Sequence, residues 1–312
     1  MAESLLTYKG NCHCGINRYE VQLPELPSLV VCNCTLCMKK GHIWIYEADS
    51  SLKTTRGCTA DTLTTYKSSY PEGLEHEIYV LKDVDFWFCS TCGTGLFGTH
   101  ASGAQAKKKG INFRVLVSDT KEIFIKGREV IAFDASGNTK PYPGFLSIVE
   151  NDSSPPSAEL PESVPSVPGE NLKHYTGGCD CGAVRIAVTT KPLFDVEIKE
   201  DNCSICSRNG FIGVYPHQSE VTLDGKDQTR DYKFGRGFNG SPFCRTCGVH
   251  CFGNLYGPPK EVIARLPEAK QEFVRKQLET QPLNIRVLDG VEWDRINIKW
   301  SNDGTAGYEL PE

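Results

Sequence analysis

A cysteine pattern that occurs twice in the same order is the strongest constraint in this sequence. Cys12 and Cys14 align with Cys179 and Cys181, each pair in a C-x-C-G block that follows a tyrosine. Three further blocks align in the same order: residues 34–46 with 203–215, 88–98 with 243–253, and 112–116 with 284–288. Four aligned blocks indicate a tandem duplication.

The length of the chain agrees with two copies. Its 312 residues are about twice the usual domain length, and 39% of them are hydrophobic, which excludes a wholly disordered chain. The sequence predicts a first domain at residues 1–150, a linker at 151–170 and a second domain at 171–312. The linker carries five prolines among serines and acidic residues and is expected to be semi-extended. An ordered strap across both domains is the alternative.

Short strands dominate the predicted secondary structure of both copies. Their β-branched and aromatic residues, bounded by turn residues, predict a mainly β fold with little helix. One amphipathic helix is predicted at residues 267–278, in an insertion that only the second copy has. The predicted strands are residues 18–23, 42–46, 77–81, 112–117, 123–125, 184–188, 212–215, 221–223, 283–288 and 296–300.

The cysteines are spaced for metal binding rather than for disulfides. There are fifteen, an odd number, and most stand one or two residues from the next. Cysteines this close together are better placed to bind one metal ion than to form disulfides between distant segments. The first ten residues show no apolar signal core, and no apolar stretch approaches the roughly 20 residues of a membrane span. We therefore expect a metalloprotein of the cytoplasm, where thiols stay reduced.

Two of the cysteine pairs in each copy can form a closed site. On a strand, Cys12 and Cys14 would face the same side, and a C-x-x-C knuckle ending in Gly93 would add Cys89 and Cys92. Four thiolates in a tetrahedron are typical of structural zinc.

Three cysteines of the first copy remain: Cys32, Cys34 and Cys37. Three protein ligands with an open fourth position are what a catalytic zinc requires. His42 follows closely and is a candidate proton shuttle, although its counterpart Phe211 favours a packing role. Lys39, Lys40 and Arg208 flank the triplets and are candidate partners for the carboxylates of a ligand, or part of a solvated basic face.

The order C-x-C-G, C-x-C-x-x-C and C-x-x-C-G resembles the glutathione-dependent formaldehyde-activating enzyme family, which also includes the centromere protein V domain. The resemblance covers both copies and implies two small zinc-binding β-tent domains. It also implies carbon–sulfur lyase chemistry, in which glutathione and formaldehyde give S-hydroxymethylglutathione. By this resemblance Cys32, Cys34 and Cys37 hold the catalytic zinc. The structural zinc ligands it implies are Cys12, Cys14, Cys89 and Cys92 in the first copy, and Cys179, Cys181, Cys244 and Cys247 in the second.

The second copy departs from the family pattern at its triplet. Asp201 stands where Cys32 stands, followed by Cys203 and Cys206. A carboxylate can ligate zinc, so Asp201, Cys203 and Cys206 are candidate ligands of a mixed site. The alternative is a degenerate site without an ion, because hard oxygen in a soft sulfur site weakens affinity.

Three functions remain open from the sequence. The first is a zinc-dependent enzyme that adds or removes a small thiol, such as glutathione, at an aldehyde or related carbonyl carbon. The second is a zinc-dependent lyase or isomerase acting on a larger carbonyl metabolite, and the third is a non-catalytic zinc-binding module. The net charge of −5 disfavours a nucleic-acid partner, and no membrane partner is expected.

Overall fold

The computed structural model describes residues 5–24, 29–32, 34–46, 51–68, 84–100, 108–117, 130–133, 171–301 and 309–311. The predicted linker at 151–170 and the predicted strands at 77–81 and 123–125 lie outside the described residues. Within the described residues the prediction of a mainly β fold with little helix is confirmed.

The first half forms two sheets. A four-stranded sheet has the order β10-β1-β2-β5, and a seven-stranded sheet has the order β11-β3-β4-β9-β8-β7-β6. All neighbours are antiparallel except β11 and β3. The elements are β1 (Leu5–Asn11), β2 (Arg18–Pro24), β3 (Leu29–Cys32), α1 (Thr35–Lys40), β4 (Trp44–Ile45), β5 (Lys53–Arg56), β6 (Leu63–Ser68), β7 (Val84–Cys89), β8 (Gly95–His100), β9 (Lys109–Asn112), a 3₁₀ turn (Phe113–Val115), β10 (Leu116–Val117) and β11 (Val130–Phe133).

The second half repeats this topology with shorter pairings. Its sheets are β12-β13-β16, β20-β15-β14-β21 and β17-β18-β19, and β14 pairs in parallel with β21 as β3 does with β11. The elements are β12 (Lys173–Gly178), β13 (Arg185–Thr190), β14 (Ile198–Asp201), α2 (Ser204–Asn209), β15 (Ile212–Val214), β16 (Val221–Asp224), β17 (Thr229–Lys233), β18 (Asn239–Cys244), β19 (Asn254–Leu255), α3 (Lys260–Ile263), α4 (Glu268–Leu278), β20 (Leu283–Asn284) and β21 (Ile298–Ser301), with 3₁₀ turns at Leu193–Asp195, Gln218–Glu220, Lys226–Gln228 and Ile285–Val287.

Two segments fold differently from the sequence prediction. The predicted continuous strands at 112–117 and 283–288 are each broken by a 3₁₀ turn, because Asn112 and Asn284 accept a hydrogen bond from the backbone N–H two residues later. Each triplet also leads into a short helix, α1 or α2, that was not predicted. The predicted helix at 267–278 is confirmed as α4, with Pro267 at its N-cap.

The two halves share a hydrophobic core. One cluster of buried side chains lies within the first half and includes Tyr19, Val21 and Leu23, which alternate with more exposed residues along β2. The other cluster joins Trp44 and Phe86 of the first half to many buried residues of the second half. Because a packed core crosses from one copy to the other, the described parts of the two halves form one packed unit.

Among the described residues, no helix is long and apolar enough to cross a membrane.

Candidate metal centres

Four thiols of the first half converge from two separate segments of the chain. The four sulfurs lie within 4.8 Å of one another, with Cys12 Sγ 3.5 Å from Cys14 Sγ and Cys14 Sγ 3.6 Å from Cys89 Sγ; Cys92 completes the group. A disulfide would bring two sulfurs to about 2.05 Å. Four sulfurs at about 2.3 Å from a central ion lie about 3.8 Å apart, so the observed spacing fits a tetrahedral zinc ion.

Local turns rather than a strand bring these thiols together. The sequence analysis expected Cys12 and Cys14 on a strand, but both follow the end of β1, in a turn closed by a hydrogen bond from the N–H of Gly15 to the carbonyl of Cys12. In the knuckle, the N–H of Gly93 donates to the carbonyl of Cys89 at 2.9 Å. Gly93 has a φ of 73°, a left-handed conformation that favours glycine.

The second half builds the same four-thiol group. Cys179 Sγ and Cys244 Sγ each lie 3.5 Å from Cys181 Sγ, and Cys247 completes the group. The backbone N–H of Val184 donates to the sulfur of Cys179 at 3.2 Å. Such N–H donors favour the thiolate form that a metal ligand requires. The structure therefore brings together all eight thiols that the sequence predicted for the two closed sites.

The three remaining thiols of the first half also form a group. Cys32 ends β3, Cys34 precedes α1 and Cys37 lies within α1, and their sulfurs all lie within 4.8 Å of one another. Among the described residues no fourth His, Cys, Asp or Glu joins them. Burial, together with the neighbouring thiols, raises the pKa of Cys37. Three ionised thiolates at this spacing therefore need a bound cation.

Two aromatic residues border this triplet. The indole N–H of Trp44 donates to the sulfur of Cys37 at 3.3 Å. Burial, and then the charges of the triplet thiols, raise the pKa of Tyr46, so its phenol stays protonated. Sequence reasoning missed Trp44. A comparison of the two copies could have pointed to Trp44, since the equivalent position of the second copy is a glycine, Gly213.

The triplet of the second half is arranged differently. One carboxylate oxygen of Asp201 accepts the backbone N–H of Cys203 at 2.6 Å, whereas the sulfur of Cys32 accepts the N–H of Cys34 at 3.4 Å in the first half. Asp201, Cys203 and Cys206 do not form a group of close ligand atoms in the described part of the chain. The carboxylate thus replaces the sulfur as a backbone acceptor without completing a three-ligand cluster.

In the described structure no hydrogen bond joins His42 to a triplet sulfur. Its imidazole is buried and meets the ring of Trp44 in an edge-to-face contact. Burial, and then the positive charges of Lys40 and Arg114, lower the pKa of His42 well below the usual range. The imidazole lies instead beside a narrow crevice that is lined by residues of both halves. The residues that line this space are Lys40, His42, Gly95, Arg208, Asn209 and His250.

Two of the three cations predicted beside the triplets are interior residues, whereas Lys39 is half-buried. Lys40 and Arg208 are buried, so neither belongs to a solvated basic face. The guanidinium of Arg114 donates to the carbonyl of Gly41 at 2.5 Å and lies 4.0 Å from the carboxylate of Glu200 in the other half. Two buried cations of the first half, Lys40 and Arg114, therefore reach across to the second half.

These features define a class of protein: a mainly β chain of two copies, with two thiol clusters in the first and one in the second, whose geometry fits metal ions. A family model described as glutathione-dependent formaldehyde-activating enzyme matches residues 7–124 and 174–280, which together make up well over half of the chain. The chain belongs to this family, and the resemblance noted in the sequence is confirmed. A crystal structure of a Rhodobacter sphaeroides protein is also similar. It is 26% identical, with a TM-score of 0.31, and the match covers 40% of this chain and 99% of that one.

Proposed function

We propose that this protein is a zinc-dependent enzyme that forms or breaks a carbon–sulfur bond between a small thiol and an aldehyde, with glutathione and formaldehyde as the first substrates to test. One observation carries the proposal: in a member of this family, Cys32, Cys34 and Cys37 come together with no fourth ligand among the described residues. A three-ligand site leaves a position for substrate, whereas the two four-thiol groups are closed and structural. We assign the structural ions to Cys12, Cys14, Cys89 and Cys92, and to Cys179, Cys181, Cys244 and Cys247.

Zinc bound at the triplet would supply a positive centre that holds the substrate thiol as its thiolate. The thiol proton passes to solvent, the sulfur bonds to the carbonyl carbon, and the carbonyl oxygen takes up a proton. The reverse reaction returns that proton and breaks the same carbon–sulfur bond. We assign a hydrogen bond to that oxygen to the phenol of Tyr46, which stays protonated beside the triplet.

The protein residues otherwise position the ligands. Trp44 fixes the sulfur of Cys37 through its indole N–H, and the N–H of Cys34 does the same for Cys32. The catalytic role of His42 stays a prediction, since no described hydrogen bond joins its ring to a triplet sulfur.

We propose that the second half does not catalyse the reaction. Asp201 is engaged by a backbone N–H, and its carboxylate, Cys203 and Cys206 form no close ligand group. The second half then serves as a wall and support for the first. We propose a reducing compartment, the cytoplasm, because thiols at metal-binding distances must stay reduced to hold an ion. Small molecules rather than nucleic acid are the proposed partners, in line with the net charge of −5.

A turnover assay with glutathione and formaldehyde tests the proposal. We expect Cys34→Ser to abolish turnover while the circular dichroism spectrum stays as in the wild type. The matched variant Cys203→Ser, at the equivalent position of the second half, is expected to retain turnover. Turnover only with larger thiol adducts or carbonyl metabolites would favour a different lyase or isomerase. Equal loss of turnover in both variants would contradict the assignment of catalysis to the first half.

The burial of the triplet supports a second candidate, a non-catalytic zinc module. The three cysteine side chains are at most 6% exposed. If no thiol and aldehyde pair is turned over, and Cys34→Ser unfolds the chain as Cys14→Ser does, the triplet is structural and this second candidate stands.

A further inference from the structure

Lys40 links the metal-binding knuckles of the two halves. It ends α1 and is buried, with its side-chain ammonium 2.5 Å from the carbonyl oxygen of Gly248 and 3.5 Å from that of Gly93. Gly248 directly follows Cys247, and Gly93 directly follows Cys92. The ammonium group of Lys40 therefore hydrogen-bonds to the backbone of both halves. In each half the acceptor is the carbonyl of the glycine that follows the last cysteine of the four-thiol group.

The knuckles also pack directly against each other. The rings of Phe88 and Phe243 meet edge to face with centroids 6.2 Å apart. A Cβ built on Gly93 would lie 2.5 Å from the ring of Phe243, and one built on Gly248 would lie 2.7 Å from the ring of Phe88. The contact is thus reciprocal, and each knuckle forms part of the surface on which the other rests.

The surroundings of Lys40 explain how a buried cation is tolerated there. Among the residues that the structure describes, no acidic side chain lines the space beside it, and Asn209, its counterpart in the second half, adds no charge. Burial is the largest influence on the pKa of Lys40 and lowers it to about 8, while the thiols of Cys247, Cys244, Cys251 and Cys92 act in the opposite direction. A divalent ion with four thiolates carries two net negative charges, so a loaded centre compensates the ammonium.

We propose that the two four-thiol centres form one coupled metal-binding unit, in which zinc held in one half raises the zinc affinity of the other half through Lys40 and the packed knuckles. The inference rests on the metal sites of the proposed function. Binding of zinc folds a knuckle, because four thiols do not stay together as thiolates without an ion. A knuckle that loses its ion and opens withdraws a carbonyl acceptor from Lys40 and a packing surface from the opposite phenylalanine. The remaining knuckle is then less well supported and holds its ion more weakly.

Equilibrium competition with a chromogenic zinc chelator measures the coupling in the full chain. All variants carry Cys34→Ser, so that the four-thiol centres supply the measured ions. Cys181→Ser disables the second centre, and we expect the first centre to bind zinc at least about fivefold more weakly as a result. Cys14→Ser is the reciprocal variant and is expected to weaken the second centre by the same factor, because coupling of binding free energies is symmetric.

The role of Lys40 is tested by Lys40→Met, with Asn209→Leu as the matched control at the equivalent position. We expect Lys40→Met to weaken zinc binding and to reduce the effect of Cys181→Ser, and Asn209→Leu to change neither. If the protein that carries only Cys34→Ser binds no zinc, the proposed function fails. If it binds zinc and Cys181→Ser leaves the first centre unchanged, the proposed function survives and the coupling is overturned. The comparison of Cys181→Ser with Cys14→Ser needs no substitution of Lys40, so it decides the coupling even if Lys40→Met does not fold.

Discussion

The hydroxyl of Tyr66 in the first half donates a 2.8 Å hydrogen bond to the carboxylate of Asp180 in the second half. The same contact recurs with the halves exchanged: the hydroxyl of Tyr232 lies 2.9 Å from Nδ1 of His13. Asp180 and His13 are the middle residues of the two C-x-C turns, and the two tyrosines stand at equivalent positions of β6 and β17. Each C-x-C turn is thus held from outside by a tyrosine of the opposite half.

We expect Tyr66→Phe to lower the free energy of unfolding by about 1–2 kcal/mol, because it removes a hydrogen bond to a half-buried carboxylate. Urea titration of the metal-loaded protein measures this change. The control is Tyr256→Phe, which removes an exposed hydrogen bond to Asp231 within the second half and should cost less than about 0.5 kcal/mol. Equal losses in the two variants would show that the contact between the halves adds nothing to stability.

Gly248→Ala tests the packing of one knuckle against the opposite half. Gly248 has a φ of 71°, and a Cβ there would lie 2.7 Å from the ring of Phe88. Gly235 is a matched control, since its φ is 56° but no atom lies within 4 Å of the added carbon. Both alanines carry the cost of a left-handed backbone, about 1 kcal/mol. We expect Gly248→Ala to destabilise the protein by at least about 1 kcal/mol more than Gly235→Ala in urea titrations. No difference would mean that the ring moves freely away.

The stability of the protein is expected to fall in mild acid. Burial lowers the pKa of His13 to about 4 and that of His250 to about 3, and it lowers the pKa of His42 well below 6.5. The unfolded chain therefore takes up these protons first, and the free energy of unfolding decreases as the pH falls from about 6.5 towards 4.

Each such histidine contributes a slope of about 1.4 kcal/mol per pH unit within that window. His42→Phe, which copies the residue at position 211, should reduce the slope by about this amount in urea titrations at constant metal loading. The exposed His174→Phe is the control and is expected to keep the wild-type slope. An unchanged slope in His42→Phe would contradict a buried, neutral imidazole at this position.

Trp44→Phe is expected to weaken metal binding at the triplet. It keeps an aromatic ring but removes the N–H that donates to the sulfur of Cys37 at 3.3 Å. Loss of an outer partner of a metal ligand typically lowers affinity by about tenfold or more. Substitution with cobalt measures metal binding at the triplet through the intensity and position of the sulfur-to-cobalt absorption band. Trp87→Phe, on β7, is the control, and an unaltered cobalt spectrum in Trp44→Phe would remove the proposed role of the indole.

Metal content distinguishes the two interpretations of the second triplet. The three close thiol groups predict three ions per chain. Because the carboxylate of Asp201 is held by a backbone N–H, we expect Asp201→Ala to keep that number and Asp201→Cys to add one more ion. Elemental analysis of reduced, purified protein measures both. A loss of one ion in Asp201→Ala would establish a mixed oxygen and sulfur site instead.

The sequence predicted the thiol clusters well because their spacing is a local property. Gly93 permits the knuckle turn whatever surrounds it, so Cys89 and Cys92 could be paired from the pattern alone. The breaks after Asn112 and Asn284 escaped prediction, because a side-chain hydrogen bond to the backbone overrides the strand propensity of the next residues. Helix α1 has only six residues, too few for a periodic pattern to appear.

The surroundings of Lys40 and His42 were beyond sequence reasoning for a different reason. Both follow a triplet and were therefore considered as partners of its chemistry. Their actual neighbours, Gly248 and His250, come from the other copy about 200 residues later in the chain. No local pattern reports which surface of one copy is covered by the other.

The shared core has a consequence for the segment that connects the copies. Because Trp44 and Phe86 are buried together with residues of the second half, neither half would keep that apolar surface out of water if it were cut from the other. The covalent connection therefore acts mainly by setting a high effective concentration of one half near the other. Its composition can therefore vary as long as its length spans the two halves, since recognition lies in the buried contact and not in the tether.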